Sequence, residues 1–273
     1  MRKAIRYGSM PALLLCFSFV TASQADPGVP VVEVQGAATG RDQKSYRDMV
    51  AGMQVFEQQR ALAPGAALRF KVLPRQAGVA MDRLTLQLAG AHTQVPIALA
   101  ADHTFVLPMD AGAAADNAAV RSNRKEKSLA WRADIRSPGL PQDTRRLGDL
   151  LLECKVAMAA DLLAYVHHPI NLLVVKLADP CSSLPINLFY FADRPLFSVT
   201  LIDGQRRSVL PAAMLHGTDS ALMASHEDWP YLRDRVYTVK FKLLYGKGWS
   251  DDTLLRFDYM DDDLATTAQA VQP

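Results

Sequence analysis

The sequence lacks the short motifs that mark most common enzyme classes. It has no Cys-x-x-Cys pair, which excludes a thioredoxin-type redox centre. It has no Gly-x-Ser-x-Gly elbow of the kind used by serine hydrolases, and no glycine-rich loop that would cradle a phosphate. His226-Glu227 begins like a zinc-protease motif, but Pro230 stands where the second histidine is needed. The chain therefore carries no recognisable catalytic signature.

The sequence also lacks an apolar run long enough to cross a membrane. The run Ala12–Val20 is roughly half of the ~20 residues that a span requires. Three basic residues precede it, and Ser23-Gln24-Ala25 follows with small residues at the positions that signal peptidase reads. We therefore expect 1–25 to be a removed signal peptide and the remaining chain to be periplasmic or secreted, without stable membrane insertion. An uncleaved N-terminal membrane anchor is the alternative.

Net charge is small. Three of the 30 basic residues lie in 1–25, so the remaining chain has 27 basic and 28 acidic residues. A nearly neutral surface argues against a nucleic-acid partner. The apolar content of 49% excludes a disordered chain and is sufficient for a folded core.

Cysteine is scarce, and Cys154 and Cys181 are the two that remain after signal cleavage. An even number of cysteines in an exported chain favours a structural disulfide. Closing the loop between them would stabilise the fold by roughly 3 kcal/mol. Two buried thiols or a metal pair are the alternatives.

Hydrophobic periodicity predicts a mostly β fold. The spacing of apolar residues over 45–60 predicts one amphipathic helix, with Ser45 placed to cap it. Period-two alternation then predicts strands. Their residues are 30–35, 68–72, 84–88, 95–99, 104–107, 129–134, 171–177, 187–191, 197–201, 208–210, 236–244 and 253–259. Asp203-Gly204, between two of these strands, predicts a hairpin turn. We predict one or more antiparallel β-sandwiches with this N-terminal helix and room for a short second one.

Composition suggests where the chain divides. We expect an N-terminal strand and helix in 26–65, a small β-sandwich in 66–110, a second β-rich section in 120–260 and a polar tail in 261–273. The small residues of 109–117 are predicted to form a boundary or a long loop. The stretch 150–156 resembles a strand, but its apolar spacing also fits a helix that would continue to His167-His168.

A basic run is the strongest candidate for a binding region. Residues 121–146 contain eight basic and three acidic residues. Arginine forks suit carboxylates and phosphates, so Arg132, Arg136, Arg145 and Arg146 are candidate contacts for an anionic ligand of the cell envelope. The alternative is a loop held by internal ion pairs, with partners at Asp134, Asp143 and Asp149.

No metal or cofactor is expected. Adjacent residues such as His167 and His168 point in different directions and rarely bind one ion together. The C-terminal aspartates lack the spacing of a calcium loop, so a solvated terminus is the simpler interpretation. They are Asp251, Asp252, Asp258, Asp261, Asp262 and Asp263.

Two resemblances to known families can be stated. The strand set from Leu68 to Pro108, with the turn Asp102-His103-Thr104-Phe105 in place of the usual Asp-Gly-x-Phe, resembles the transthyretin-type carboxypeptidase regulatory-like domain. That resemblance implies an accessory β-sandwich and no peptidase activity. Four further blocks resemble an uncharacterised family of proteobacterial secreted proteins, which implies no activity. They are 131–141, 144–149, 191–195 and 249–253.

These observations favour an exported, non-catalytic interaction or structural protein of the cell envelope, with an envelope component or another protein as its partner. The alternative is a periplasmic hydrolase or metal-dependent enzyme that uses His167, His168, His226 or the C-terminal aspartates. A third hypothesis is a protein that binds extended peptides at an open sheet edge.

Overall fold

The computed structural model of the protein describes residues 40–163, 179–182, 188–217 and 230–261. The strands are β1 Arg41–Ser45, β2 Ala67–Pro74, β3 Leu86–Ala89, β4 Gln94–Ile97, β5 Thr104–Phe105, β6 Ala119–Lys125, β7 Leu129–Arg136, β8 Thr144–Arg146, β9 Leu188–Phe191, β10 Leu196–Asp203, β11 Arg206–Val209, β12 Val236–Val239 and β13 Leu254–Tyr259. The α-helices are α1 Tyr46–Gln58, α2 Ala111–Ala115, α3 Leu147–Ala159 and α4 Phe241–Gly246. Short 3₁₀ turns cover Arg60–Leu62, Ala212–Met214 and Pro230–Arg235.

The strands form several antiparallel sheets, so the predicted mostly β fold is confirmed. Two sheets come from the first half of the described chain, in the orders β1-β6-β3-β4 and β5-β2-β7. Two more come from the second half, in the orders β11-β10-β13-β8 and β9-β12. Strands from 66–110 pair with strands outside that range, since β2 pairs with β7 and β3 pairs with β6.

The predicted N-terminal helix is confirmed as α1. The Ser45 hydroxyl caps it by accepting from the backbone N–H of Asp48 at 3.3 Å. Tyr46, Met49 and Phe56 are buried in one core, as their spacing predicts. Close packing of α1 against the end of α3 depends on Gly52, because a Cβ there would lie 2.7 Å from the Cβ of Ala160.

Helix α3 contributes to two hydrophobic cores. Leu152 and Val156 pack into the core formed with α1 and the first two sheets. Leu147, Leu150 and Leu151 pack into the core formed with β10, β12 and β13. Because α3 is covered on both sides, its sequence is apolar nearly all round. It therefore lacks the single apolar stripe by which a surface helix is recognised in a sequence. The strand interpretation of 150–156 is therefore wrong. The helical one is right for this stretch, but α3 ends at Ala159, short of the predicted end at His167-His168.

Two other stretches differ from expectation. The predicted loop 109–117 contains α2, whose first turn is capped by the Asp110 side chain accepting from the backbone N–H of Ala113 at 2.8 Å. The predicted strand 236–244 ends at Val239, and α4 begins at Phe241. Continuous short apolar runs do not distinguish a buried strand from a buried helix.

The hairpin predicted at Asp203-Gly204 is confirmed. Strands β10 and β11 pair in antiparallel register with Asp203 opposite Arg206, and Gly204 has a φ of +57°. A two-residue connection of this kind needs positive φ, which glycine adopts without strain.

The predicted disulfide is confirmed, and Cys154 of α3 is bonded to Cys181. Lys155 forms an ion pair with Asp179 beside it, so α3 and 179–182 are joined by two kinds of contact. None of the helices in the described ranges is both long enough and apolar enough to cross a membrane. Several predictions lie outside the described residues: the signal peptide 1–25, the strands at 30–35 and 171–177, His167, His168, His226 and most of the tail 261–273.

Candidate functional site

A cleft of about 780 Å³ lies between the β2–β7 ladder and the β9–β12 pair. Alternation along β2 sends Phe70 and Val72 into the core, where both are buried. Arg69 and Lys71 line the cleft from the same strand. The polar face of β2 therefore belongs to one wall of the cleft, and β9 and β12 form the wall opposite it.

Strand β7 supplies the neighbouring charges. Trp131 and Ile135 are buried in the core, while Arg132, Asp134 and Arg136 line the cleft. The register places Arg69 opposite Asp134 and Lys71 opposite Arg132. One face of a two-stranded ladder therefore presents four cations and one carboxylate.

The opposite wall is aromatic. Tyr190 and Phe191 of β9 and Tyr237 of β12 line it. The two tyrosine rings stack at 5.6 Å between centroids, and the guanidinium of Arg132 lies over the Phe191 ring at 5.0 Å. Burial and, to a smaller extent, nearby Arg75 lower the pKa of Arg132 to about 9.

The buried pair Arg145–Glu153 closes the inner end of the cleft. Glu153 accepts from the backbone N–H of Ile135 at 2.7 Å, and Arg145 donates to the carbonyl oxygen of the same residue at 2.7 Å. Burial alone would lower the pKa of Arg145, but the Glu153 carboxylate more than offsets this and raises it. The pair thus provides hydrogen-bond partners for the N–H and the carbonyl oxygen of Ile135 at the outer edge of β7. These backbone groups are then not available to pair with another strand.

Ion pairs cross the outer rim of the cleft. Asp193, in the turn after β9, accepts from Lys71 Nζ at 2.7 Å and lies 3.0 Å from Arg136 Nη2. Arg136 also reaches Asp134 through Nε at 3.0 Å. Burial would raise the pKa of Asp193, but Arg136 and Lys71 outweigh it and hold this pKa below its usual range.

Cations exceed carboxylates among the lining side chains. The cationic residues are Arg69, Lys71, Arg132, Arg136, Arg145 and Arg235, and the acidic residues are Asp102, Asp134, Glu153 and Asp193. A concave surface with a positive surplus attracts an anion, since its partly buried walls strengthen the interaction. The Phe191 ring beside Arg132 can contact the uncharged part of the same ligand, while Tyr190 and Tyr237 are buried behind it.

Three of the four arginines singled out by sequence lie in this cleft: Arg132, Arg136 and Arg145. Arg146 does not line it. Its guanidinium contacts Asp252 and, at 3.2 Å, the hydroxyl of Ser137. The alternative of internal ion pairs also describes part of the run, because Arg136 pairs with Asp134 and Arg146 lies 3.8 Å from Asp149.

The cleft residues that lie outside the basic run 121–146 were not predicted from the sequence. Arg69 and Lys71 were visible as the polar half of an alternating strand, but nothing in the pattern indicated a second wall over them. Glu153 had a detectable signal, because a lone carboxylate within an apolar run is rarely buried without a partner. Asp193 had none that the local sequence reveals.

No group of three or more His, Cys, Asp or Glu side chains that could hold a metal ion occurs within the described ranges. No family model, curated protein or solved structure matches this chain.

Proposed function

We propose that this chain is an exported, non-catalytic binding protein of the cell envelope, and that its cleft holds an anionic ligand. The observation that carries the proposal is the surplus of cations along one cleft. Three of those cations come from the basic run, and the others come from β2 and from the 3₁₀ turn before β12. The Cys154–Cys181 disulfide supports an oxidising compartment.

The size of the cleft favours a small ligand over an extended polyanion. Its volume of about 780 Å³ falls within the range of roughly 300–1,000 Å³ that is usual for small-molecule sites. The nearly balanced total charge of the chain is also unlike that of a protein that binds a long polyanion.

The state of the carboxylates favours binding over hydrolysis. Asp134 and Asp193 are held by Arg136. Burial raises the pKa of Glu153 to about 7, but its side chain is only 8% exposed and already accepts from Arg145 and from the backbone N–H of Ile135. A general base must be able to accept a proton from substrate or water. Carboxylates already paired with guanidinium groups are poorly suited to that role.

Isothermal titration with citrate, inorganic phosphate and glucose tests the proposal. We expect saturable binding of at least one anion and no binding of glucose. Arg136→Gln is expected to weaken anion binding about tenfold, because it removes one charge-assisted contact. Arg121→Gln is the matched control, since Arg121 lies on β6, contacts Gln43 and does not line the cleft.

Three outcomes would overturn the proposal or a part of it. Absence of binding by both anions would remove the anion site. Equal weakening by Arg121→Gln and Arg136→Gln would show a general charge effect and no cleft site. Turnover of an envelope substrate that a single cleft mutation abolishes would remove the non-catalytic part.

A further inference from the structure

One carboxylate of the protein already occupies the cation-rich rim of the cleft. Asp193 extends from the turn between β9 and β10 and contacts Lys71 on β2 and Arg136 on β7. These two contacts, called here the Asp193 clasp, connect the two walls of the cleft. An anion approaching Lys71 and Arg136 must therefore compete with a group of the same charge.

The turn that carries the clasp is held independently of the carboxylate. Arg235 donates to the backbone carbonyl of Asp193 at 2.9 Å, and the N–H of Ala192 donates to the carbonyl of Arg235 at 2.9 Å. Loss of the Asp193 side-chain charge therefore leaves the backbone anchored. The side chain can leave its partners without unfolding the turn.

The clasp lies where exchange is easy. The side chains of Asp193 and Arg136 are 38% and 36% exposed, so water screens their ion pair. The inner pair Arg145–Glu153 is buried, and its two members are 5% and 8% exposed. Breaking the Asp193–Arg136 ion pair therefore costs much less free energy than breaking the Arg145–Glu153 pair.

We propose that the ligand carries a carboxylate that takes the place of the Asp193 side chain between Lys71 and Arg136. This inference rests on the proposed function of the cleft. The incoming group would find the same two donors and leave their charge balanced, while Asp193 turns to solvent. A ligand must therefore bind Lys71 and Arg136 more strongly than the Asp193 side chain does. A weakly binding anion does not displace that side chain.

The arrangement around Arg136 favours a carboxylate over a phosphate. Its guanidinium divides its donors, with Nε towards Asp134 and Nη2 towards Asp193. A planar group of single charge can replace Asp193 without changing that division. A phosphate would place up to two negative charges on the one group that lies next to Asp134, whereas each carboxylate of a ligand such as citrate carries one.

Asp193→Asn tests the inference by opening the clasp. Citrate affinity, measured by isothermal titration on the full disulfide-bonded protein, is expected to rise at least about threefold, because the competing carboxylate is gone. Asp102→Asn is the matched control. It removes the same charge from the lining of the same cleft, but Asp102 accepts from Thr104, and Lys71 acts on it only through space.

A second background separates competition from general electrostatics. In Lys71→Gln, the clasp has lost one of its two cations, so Asp193→Asn is expected to raise citrate affinity less than it does in the wild-type chain. An undiminished rise in that background would contradict the clasp. Thermal unfolding of each variant establishes that the fold is intact.

The outcomes distinguish the two proposals. Binding of citrate by the wild type, with no greater gain in Asp193→Asn than in Asp102→Asn, overturns the clasp and leaves the anion site standing. Absence of citrate and phosphate binding in every variant overturns the anion site itself. A gain for inorganic phosphate without a gain for citrate overturns the assignment of a carboxylate.

Discussion

Lys71 and Arg132 lie directly opposite each other in the β2–β7 ladder, and both side chains line the same cleft. Like charges at opposed positions destabilise an antiparallel pair. Arg69 and Asp134, the adjacent opposed pair, have opposite charges. Repulsion between Lys71 and Arg132 therefore destabilises this ladder locally, and a ligand anion bound beside them would reduce the repulsion.

Lys71→Gln is expected to change the free energy of unfolding by less than about 0.5 kcal/mol. It removes an ion pair with Asp193 that is worth roughly 0.2–1 kcal/mol, and it also removes repulsion with Arg132 of similar size. Urea unfolding measures the difference. Arg69→Gln is the comparison in the same ladder, and it should destabilise more, because it removes attraction to Asp134. A larger loss for Lys71→Gln than for Arg69→Gln would contradict this balance.

Glu153→Ala is expected to lower the free energy of unfolding by about 3–5 kcal/mol, because it leaves the Arg145 guanidinium buried without its carboxylate. Glu57→Ala on α1 is the control. The side chain of Glu57 is 61% exposed, so its loss should cost less than about 0.5 kcal/mol. Equal effects of the two substitutions in urea unfolding would show that the buried pair is unimportant.

Replacement of the whole pair tests why it is there. The double variant Arg145→Met/Glu153→Leu removes both buried charges and should recover much of the loss seen in Glu153→Ala. It also removes the partners of the Ile135 N–H and carbonyl, which should still cost about 1–3 kcal/mol. Full recovery to wild-type stability would mean that the β7 edge does not need this pair.

Local patterns in the sequence determine several elements correctly, because the cause is local. The cap at Ser45 and the spacing of Met49 and Phe56 specify α1 without help from the rest of the chain. The Asp203-Gly204 turn specifies the β10–β11 hairpin in the same way. Helix α3 was ambiguous because both of its sides are covered, and the run after Val239 was ambiguous because it is short and apolar.

The cleft could be predicted in part. The density of arginine between 121 and 146 pointed to a charged region. The predicted strand 129–134 stopped before Arg136, whereas β7 extends to it and places it on the same face as Arg132. The wall opposite them depends on the position of β9 and β12, which is set by packing of the second core. Asp193 reaches Lys71 across 122 positions of the chain, and no local pattern encodes such a contact.

Loss of the disulfide is expected to lower the free energy of unfolding by roughly 3 kcal/mol. Cys154→Ala/Cys181→Ala, unfolded in urea, measures the loss. Both cysteines are buried, so alanine avoids placing a new polar group in the core. Reductant should destabilise the wild type by a similar amount and leave the double variant unchanged. Equal masses of the wild type before and after reduction would contradict the bond, which should change the mass by two hydrogens.

Acidification should weaken the contribution of Asp193. Burial raises its pKa, but Arg136 and Lys71 outweigh burial and hold this pKa below its usual range in the folded protein. A carboxylate whose pKa is lower in the folded than in the unfolded state stabilises the fold above its unfolded pKa. That stabilisation is lost as the pH falls through the folded pKa.

The quantity to measure is the difference in free energy of unfolding between the wild type and Asp193→Asn across a pH series, because other carboxylates titrate in the same range and cancel in that difference. Wild type should be the more stable at neutral pH, and the advantage should shrink as the pH falls below the range of an ordinary aspartate. Asp203→Asn in the β10–β11 turn reports the general effect of removing one negative charge. An advantage that stays constant across the series would show that Asp193 acts through its shape and not through its charge.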